Sequence, residues 1–440
     1  MHDFPKAVSC LHELRRKFET LLEAARKKAG HGQETPRVTP LQELPDFGRN
    51  PGNLRMWAYV PERLPRGAPL VVALHGCSQS ASAYDNGTGW STLAERFGFA
   101  VIYPEQQPAN NPKNCFSWFL PGDTARGHGE ALSIREMIEH AIRTFGIDRG
   151  RIFVTGLSAG GAMASVMLAT YPEVFAGGAI IAGLCYGCAR SVQQAFEAMF
   201  TEQPQPAHVL GERVRAASKH RGPWPKMTIW HGVADPIVKP SNAENILRQW
   251  IDVQGLSNTP SYEELIGSHT RRVWNDADGE ARIEAFSISG MGHGVPLATR
   301  TGEDTCGAVG AFFLDAGISS THHIARFWCL GDGLAQLLQA PATVSGPYLV
   351  GAQGGAIVAA SNTDSRASDS EGPSFGAEPD ARRRPHDPNH VIAAAFEAAG
   401  LPTPNLTSRP ATSKHVAPAP IIEAVLKAAG LLSSTSSSAK

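Results

Sequence analysis

The feature that most narrows the possible folds is an alternation running from Asn53 to Gly331. Short apolar runs, most of them bounded by glycine or proline, are followed by segments with helical periodicity. LRMWAYV, PLVVALHG, FAVIYPE, RIFVTG, GGAIIAG, MTIWHG and ARIEAFSI read as strands, and several are apolar at consecutive positions, as in strands covered on both faces. Trp90–Phe97, Ala131–Phe145, Gly161–Thr170 and Ala243–Gln254 read as helices. This order predicts an α/β fold with a largely parallel central sheet flanked by helices.

The chain has 440 residues, more than one average domain. The expected divisions are an N-terminal amphipathic helix and linker (1–46), a catalytic body (47–333), a Gly/Ser/Pro-rich flexible linker (334–389), a pair of short helices (390–431) and a disordered tail (432–440). Between Leu11 and Ala29, Leu11, Leu14, Phe18, Leu21 and Ala25 share one helical stripe, while Arg15, Arg16, Lys17, Arg26, Lys27 and Lys28 make the other face basic. Such a helix packs on the body or a second subunit, or docks on an anionic or apolar surface. The C-terminal segments His390–Leu401 and Pro420–Leu431 are each amphipathic and contain a glycine at a C-terminal cap position. Helices this short need a partner: each other, the body, a second copy or a surface.

Forty basic residues against forty-one acidic ones give a net charge of -1, which provides no nucleic-acid footprint. No apolar run reaches the roughly 18 residues of a membrane span. The N-terminal residues MHDFPKAVSCLHELRRKF show neither an apolar core nor a small-residue cleavage site, so a cytoplasmic location is favoured, with a secreted one as the alternative. Seven cysteines scattered through a large chain do not make a disulfide scaffold. Cys185 and Cys188 have CxxC spacing but no neighbouring metal-ligand pair, and read as loop thiols, or as a bridge if the protein works outside the cell.

Gly156-Leu157-Ser158-Ala159-Gly160 matches G-x-S-x-G between a strand, RIFVT, and a helix, GAMASVMLAT. The two glycines allow a sharp turn that lifts the Ser158 hydroxyl clear of the sheet. A serine becomes a nucleophile only when a base takes its proton. In the chain order of this motif an acid and then a histidine follow. Asp235, after the strand MTIWHG, fits the acid, and His293, in the Gly-His-Gly loop after ARIEAFSI, fits the base. His231 reads as structural or pocket-lining, and His269, His322 and His323 lack the strand-then-Gly-His-Gly setting. The oxyanion of acyl transfer needs two N–H donors. Ala159 supplies one, and Cys77, with Ser78 as the alternative, supplies the other from the loop after PLVVALHG.

These residues resemble the polyhydroxybutyrate depolymerase family of esterases, relatives of the feruloyl and acetylxylan esterases. The likeness spans Phe47 to Leu330 and rests on FGRNPGNLRMWAYVP, LHGCSQSASAYDNGTGW, PEQQPANNPKNCFSWF, RGHGEALSI, VTGLSAGGAM, YPEVFAGGAIIAGL, WHGVADPIV, GMGHG and GISSTHHIARFW, in that order. It implies the α/β-hydrolase fold and serine-dependent ester hydrolysis without metal or organic cofactor, with Ser158, Asp235 and His293 as the triad. It further implies that Trp118 and His75 contact substrate, and that Cys77 and Cys115 pair in an oxidising compartment. A poly- or oligo(3-hydroxyalkanoate) is the expected substrate. A feruloyl or acetylxylan ester, an amide-linked polymer, or an inactive binding scaffold are the other readings. Secreted members carry an export signal and often a polymer-binding module, neither of which is seen here. The terminal helices are instead expected to touch a polymer granule or a second subunit.

Overall fold

The computed structural model describes residues 4–28, 40–202, 204–299 and 305–331. The expected linker, paired helices and tail beyond 334 lie outside the described residues. Helix α1 (Phe4–Lys28) precedes strands β1 (Gln42–Glu43), β2 (Arg55–Tyr59) and β3 (Leu70–Leu74). Then follow α2 (Ala81–Thr88), α3 (Trp90–Phe97), β4 (Ala100–Glu105), α4 (Pro121–Thr124), α5 (Gly129–Phe145) and β5 (Ile152–Leu157). Next come α6 (Ala159–Thr170), β6 (Gly177–Ile181), α7 (Val192–Phe200), α8 (Ala207–Ala217), β7 (Lys226–Gly232) and α9 (Ser241–Gln254). The remainder comprises β8 (Tyr262–Ile266), β9 (His269–Asn275), β10 (Ala281–Ile288), β11 (Val295–Leu297), β12 (Phe313–Asp315) and α10 (Ser320–Phe327).

Ten strands form one sheet in the order β1-β2-β4-β3-β5-β6-β7-β10-β9-β8. From β4 to β10 the neighbours run parallel, while β1, β2, β9 and β8 add antiparallel edges. Every residue of β3, β4, β5 and β6 is buried, which explains their continuously apolar sequences. Helix α6 is buried along its whole length, so it carries no polar face. Ser80, Ser191 and Ser319 cap α2, α7 and α10 by accepting backbone N–H groups. After α10, Trp328 stacks on Phe153 of β5 at 4.8 Å and on Trp90 at 5.9 Å, fastening the last described helix to the core.

The chain leaves β3 for β4 on one side of the sheet and resumes with β5 on the other. The loops after β3 and β5 therefore part at their carboxyl ends and open a crevice, the usual place for a ligand on such a sheet. Among the described residues no helix is long and apolar enough to cross a membrane.

Candidate active site

Ser158 occupies the single residue between β5 and α6, with φ 58° and ψ −118°. This strained backbone is held from both sides: the Ser158 N–H donates to the Ile181 carbonyl at 2.9 Å, and its carbonyl accepts from Ala162 at 2.9 Å. The turn also needs α6 pressed onto β3. A Cβ on Gly160 would lie 2.2 Å from the Leu74 carbonyl oxygen, so only glycine fits there. As the first residue of α6, Ala159 has an N–H that the helix cannot satisfy, at its positive end.

Asp235 stands in the loop after β7, and His293 in the loop after β10. Gly232 makes this approach possible, because a Cβ there would sit 2.4 Å from the Met291 and Gly292 carbonyl oxygens. His293 Nδ1 lies 2.7 Å from Asp235 Oδ2. The other carboxylate oxygen, Oδ1, accepts from the backbone of Ile237 at 2.8 Å and Val238 at 2.9 Å. Burial alone would raise the Asp235 pKa, but His293 and His231 beside it outweigh that and hold the carboxyl below its ordinary range. His231 Nε2 is 3.3 Å from the same oxygen, Asp235 Oδ2, and 2.9 Å from the Val238 carbonyl, so it is a second imidazole beside the carboxylate.

Ser158 and His293 line one small cavity, with Gly76, Cys77, Gln79, Leu157, Phe312 and Leu22 of α1. A second cavity, of about 540 Å³, starts at His293 and Phe312 and runs between α1, the loops carrying Ile237 and Met291, and Leu314 of β12. The loop after β3 is tightly organised. Gly76 donates to the Gln79 side chain at 2.8 Å, and Ser78 donates to the Lys113 carbonyl. Those two N–H groups, of Gly76 and Ser78, are thus engaged within the protein. Cys77 is bonded to Cys115, tying the loop to the segment that follows β4. Ser117 of that segment donates to buried Glu130 at 2.8 Å.

The two residues expected to contact substrate, His75 and Trp118, are buried in this structure. His75 is buried, its Nδ1 bonded to the Gly76 carbonyl at 2.8 Å and its Nε2 accepting from Gln106 at 3.0 Å. Burial lowers its pKa, and the ring pins the strand end to the neighbouring loop. Trp118 is buried edge-on against Phe119 at 5.2 Å and lines neither cavity, because the apolar segment folds inward as a cluster. His269 bridges the Ala316 carbonyl and the Ser289 N–H, His322 packs near Phe97, and His323 packs near Trp230. Cys185 and Cys188 are not disulfide-bonded. Among the described residues no group of three or more His, Cys, Asp or Glu side chains is placed to hold a metal ion. Gln79, inside the LHGCSQS motif but not singled out there, and Phe312, outside every motif, also line the site. Phe312 lies edge-on to the His293 ring at 6.0 Å.

Comparison with known proteins gives this geometry a family. The model of the esterase PHB depolymerase family matches residues 58–266, which include Ser158 and Asp235. A poly(3-hydroxyalkanoate) depolymerase C of Paucimonas lemoignei is 44% identical over 292 residues, covering 66% of this chain and 70% of that protein. The chain belongs to the PHB depolymerase esterase family. A feruloyl esterase B of Talaromyces stipitatus is 32% identical over 283 residues, covering 61% of this chain and 76% of that enzyme. The solved acetyl xylan esterase from Aspergillus awamori superposes with a TM-score of 0.54 at 30% identity, covering 57% of this chain and 93% of that one. The chain is a carboxylic ester hydrolase of the α/β-hydrolase fold, as its family and sheet agree.

Proposed function

We propose that this esterase hydrolyses poly- or oligo(3-hydroxyalkanoate) esters with Ser158 as nucleophile, His293 as base and Asp235 as the group that orients the imidazole. The observation that carries the reading is the 2.7 Å hydrogen bond from His293 to Asp235 beside the cavity that His293 shares with Ser158. In the first step His293 takes the Ser158 proton through Nε2, the hydroxyl oxygen attacks the ester carbonyl, and the N–H groups of Ala159 and Cys77 receive the oxyanion. Collapse of the tetrahedral intermediate breaks the ester C–O bond, and His293 returns the proton to the departing alcohol. Water, deprotonated by His293, then attacks the acyl-serine and releases the acid. Asp235, ionised and braced by His231, stabilises the imidazolium that forms in each half.

A hydroxyalkanoate substrate is supported by the 44% identity to a depolymerase against 32% to a feruloyl esterase. Attachment to an insoluble polyester through the amphipathic terminal helices is part of the same reading, supported by the apolar stripe of α1. Rates on 3-hydroxybutyrate oligomers, methyl ferulate and acetylated xylan, compared as kcat/KM, test it. The oligomers should be cleaved fastest; a preference for either of the other two overturns the substrate.

A further inference from the structure

Helix α1 lies across the mouth of the catalytic crevice. Leu22, 8% exposed, lines the same cavity as Ser158 and His293, and with it in place the space left beside the serine is about 10 Å³. That holds no more than about one water, far less than an acyl group. Ser158 and His293 are correspondingly only 8% and 6% exposed. The neighbouring stripe residues Leu21 and Ala25 wall the larger cavity. Phe18 packs edge-on against Phe196 of α7 at 5.7 Å, and Arg26 donates to the Ser78 carbonyl, in the oxyanion loop, at 3.2 Å. No sheet pairing and no disulfide among the described residues holds α1 in this position.

We infer that α1 is a lid, closed over Ser158 in this structure, that opens by transferring its apolar stripe onto the surface of a water-insoluble aliphatic polyester. An ester can meet the serine only once Leu22 has moved away. In water, lifting the helix exposes Phe18, Leu21 and Leu22 together with the apolar lining around Phe312 and Ile237, which keeps the closed form populated. Against an apolar solid both faces are covered again, while the exposed Arg16 and Lys27 on the opposite side of α1 stay in water. The surface thus binds the open form better than the closed one, and this difference shifts the equilibrium. The choice of polyester as the surface rests on the substrate reading above; the occlusion of Ser158 does not.

The test is the rate at which a small soluble fluorophosphonate labels Ser158 in the full chain, with and without suspended poly(3-hydroxybutyrate) particles. The particles should accelerate labelling of the wild type by about tenfold or more, equivalent to about 1.4 kcal/mol of bias toward the open form. Phe18→Ala and Leu22→Ala should accelerate labelling without particles and reduce the stimulation by them. Arg26→Ala, a surface change that removes only the tie to Ser78, should do so more weakly. Equal labelling rates in all forms, unaffected by particles, would overturn the lid, and no labelling of any form would overturn Ser158 as nucleophile together with it. Should the variants label faster while 3-hydroxybutyrate oligomers are not hydrolysed, the lid stands and the substrate assignment falls.

Discussion

His293 binds only one oxygen of Asp235: Oδ2 meets its Nδ1 at 2.7 Å, while Oδ1 is held by the backbone of Ile237 and Val238. One carboxylate oxygen is thus held by the loop and the other by the imidazole, and the two can be separated by substitution.

Asp235→Asn keeps an acceptor for Ile237 and Val238 but can present an amide N–H to His293, favouring the wrong tautomer. The expected loss in kcat on a short p-nitrophenyl ester is about 10⁴-fold, with the fold retained. The same variant has a pH signature. Asp235 is depressed below its ordinary range when folded and titrates near 3.9 when unfolded, so in acid the unfolded chain binds more protons. Its stability contribution is present above about pH 4 and is lost as pH falls through the folded value. Urea midpoints measured from pH 5 to pH 3 should fall more for the wild type than for Asp235→Asn. Parallel curves would refute the linkage.

Ser158→Ala should lower kcat by about 10⁶-fold, since the members of a triad act as a unit. Ser158→Gly should be equally inactive yet more stable, because a non-glycine residue at φ 58° costs about 1–3 kcal/mol. Thermal unfolding of the two variants side by side checks this, and a Gly variant no more stable than Ala would remove strain from the account of the elbow.

Gly160→Ala drives a methyl group into the Leu74 and His75 carbonyl oxygens. The opposing atoms are backbone and cannot rotate away, so the cost should reach the upper part of the usual 1–3 kcal/mol for overpacking, with about that figure read from denaturant unfolding. The rise of α6 also displaces the Ala159 N–H, so kcat should fall more than KM rises.

Opening the Cys77–Cys115 bond with Cys115→Ser releases a loop spanning a sequence separation of 38, worth about 4 kcal/mol in the chain-entropy account. The Cys77 N–H is then less firmly placed, so kcat should drop with little change in KM. Treating the wild type with dithiothreitol should reproduce the effect. An unchanged kcat in both experiments would place the second oxyanion donor elsewhere.

What the sequence made legible follows from how locally each feature is encoded. Strands β3 to β7 and β10 announce themselves because burial on both faces demands apolar residues at successive positions. The β8–β9 hairpin does not, because Tyr262–Ile266 is largely exposed and its register sets Glu263 opposite Arg272 and Glu264 opposite Arg271, a charged surface ladder with no apolar rhythm. Strands β11 and β12 are too short to carry a pattern, though they set Phe312 beside His293. Ser158, Asp235 and His293 stand at strand ends with distinctive neighbours. The Ser78 N–H is taken by the Lys113 carbonyl, a distant partner that no local pattern specifies. The stripe on α1 was visible, but amphipathicity names a buried face and not what covers it. Leu22, adjacent to the predicted stripe, is the α1 residue that lines the cavity of the serine.

The strand order has a consequence for how the protein comes of age. Ser158, Asp235 and His293, the proposed triad, follow β5, β7 and β10, strands that meet only through β6 and through the parallel pairing of β10 with β7. No nascent fragment stopping short of β10 contains the imidazole, and no intermediate lacking that last parallel ladder can aim it. Regained turnover is therefore a clock for completed maturation, lagging behind the return of helical signal during renaturation.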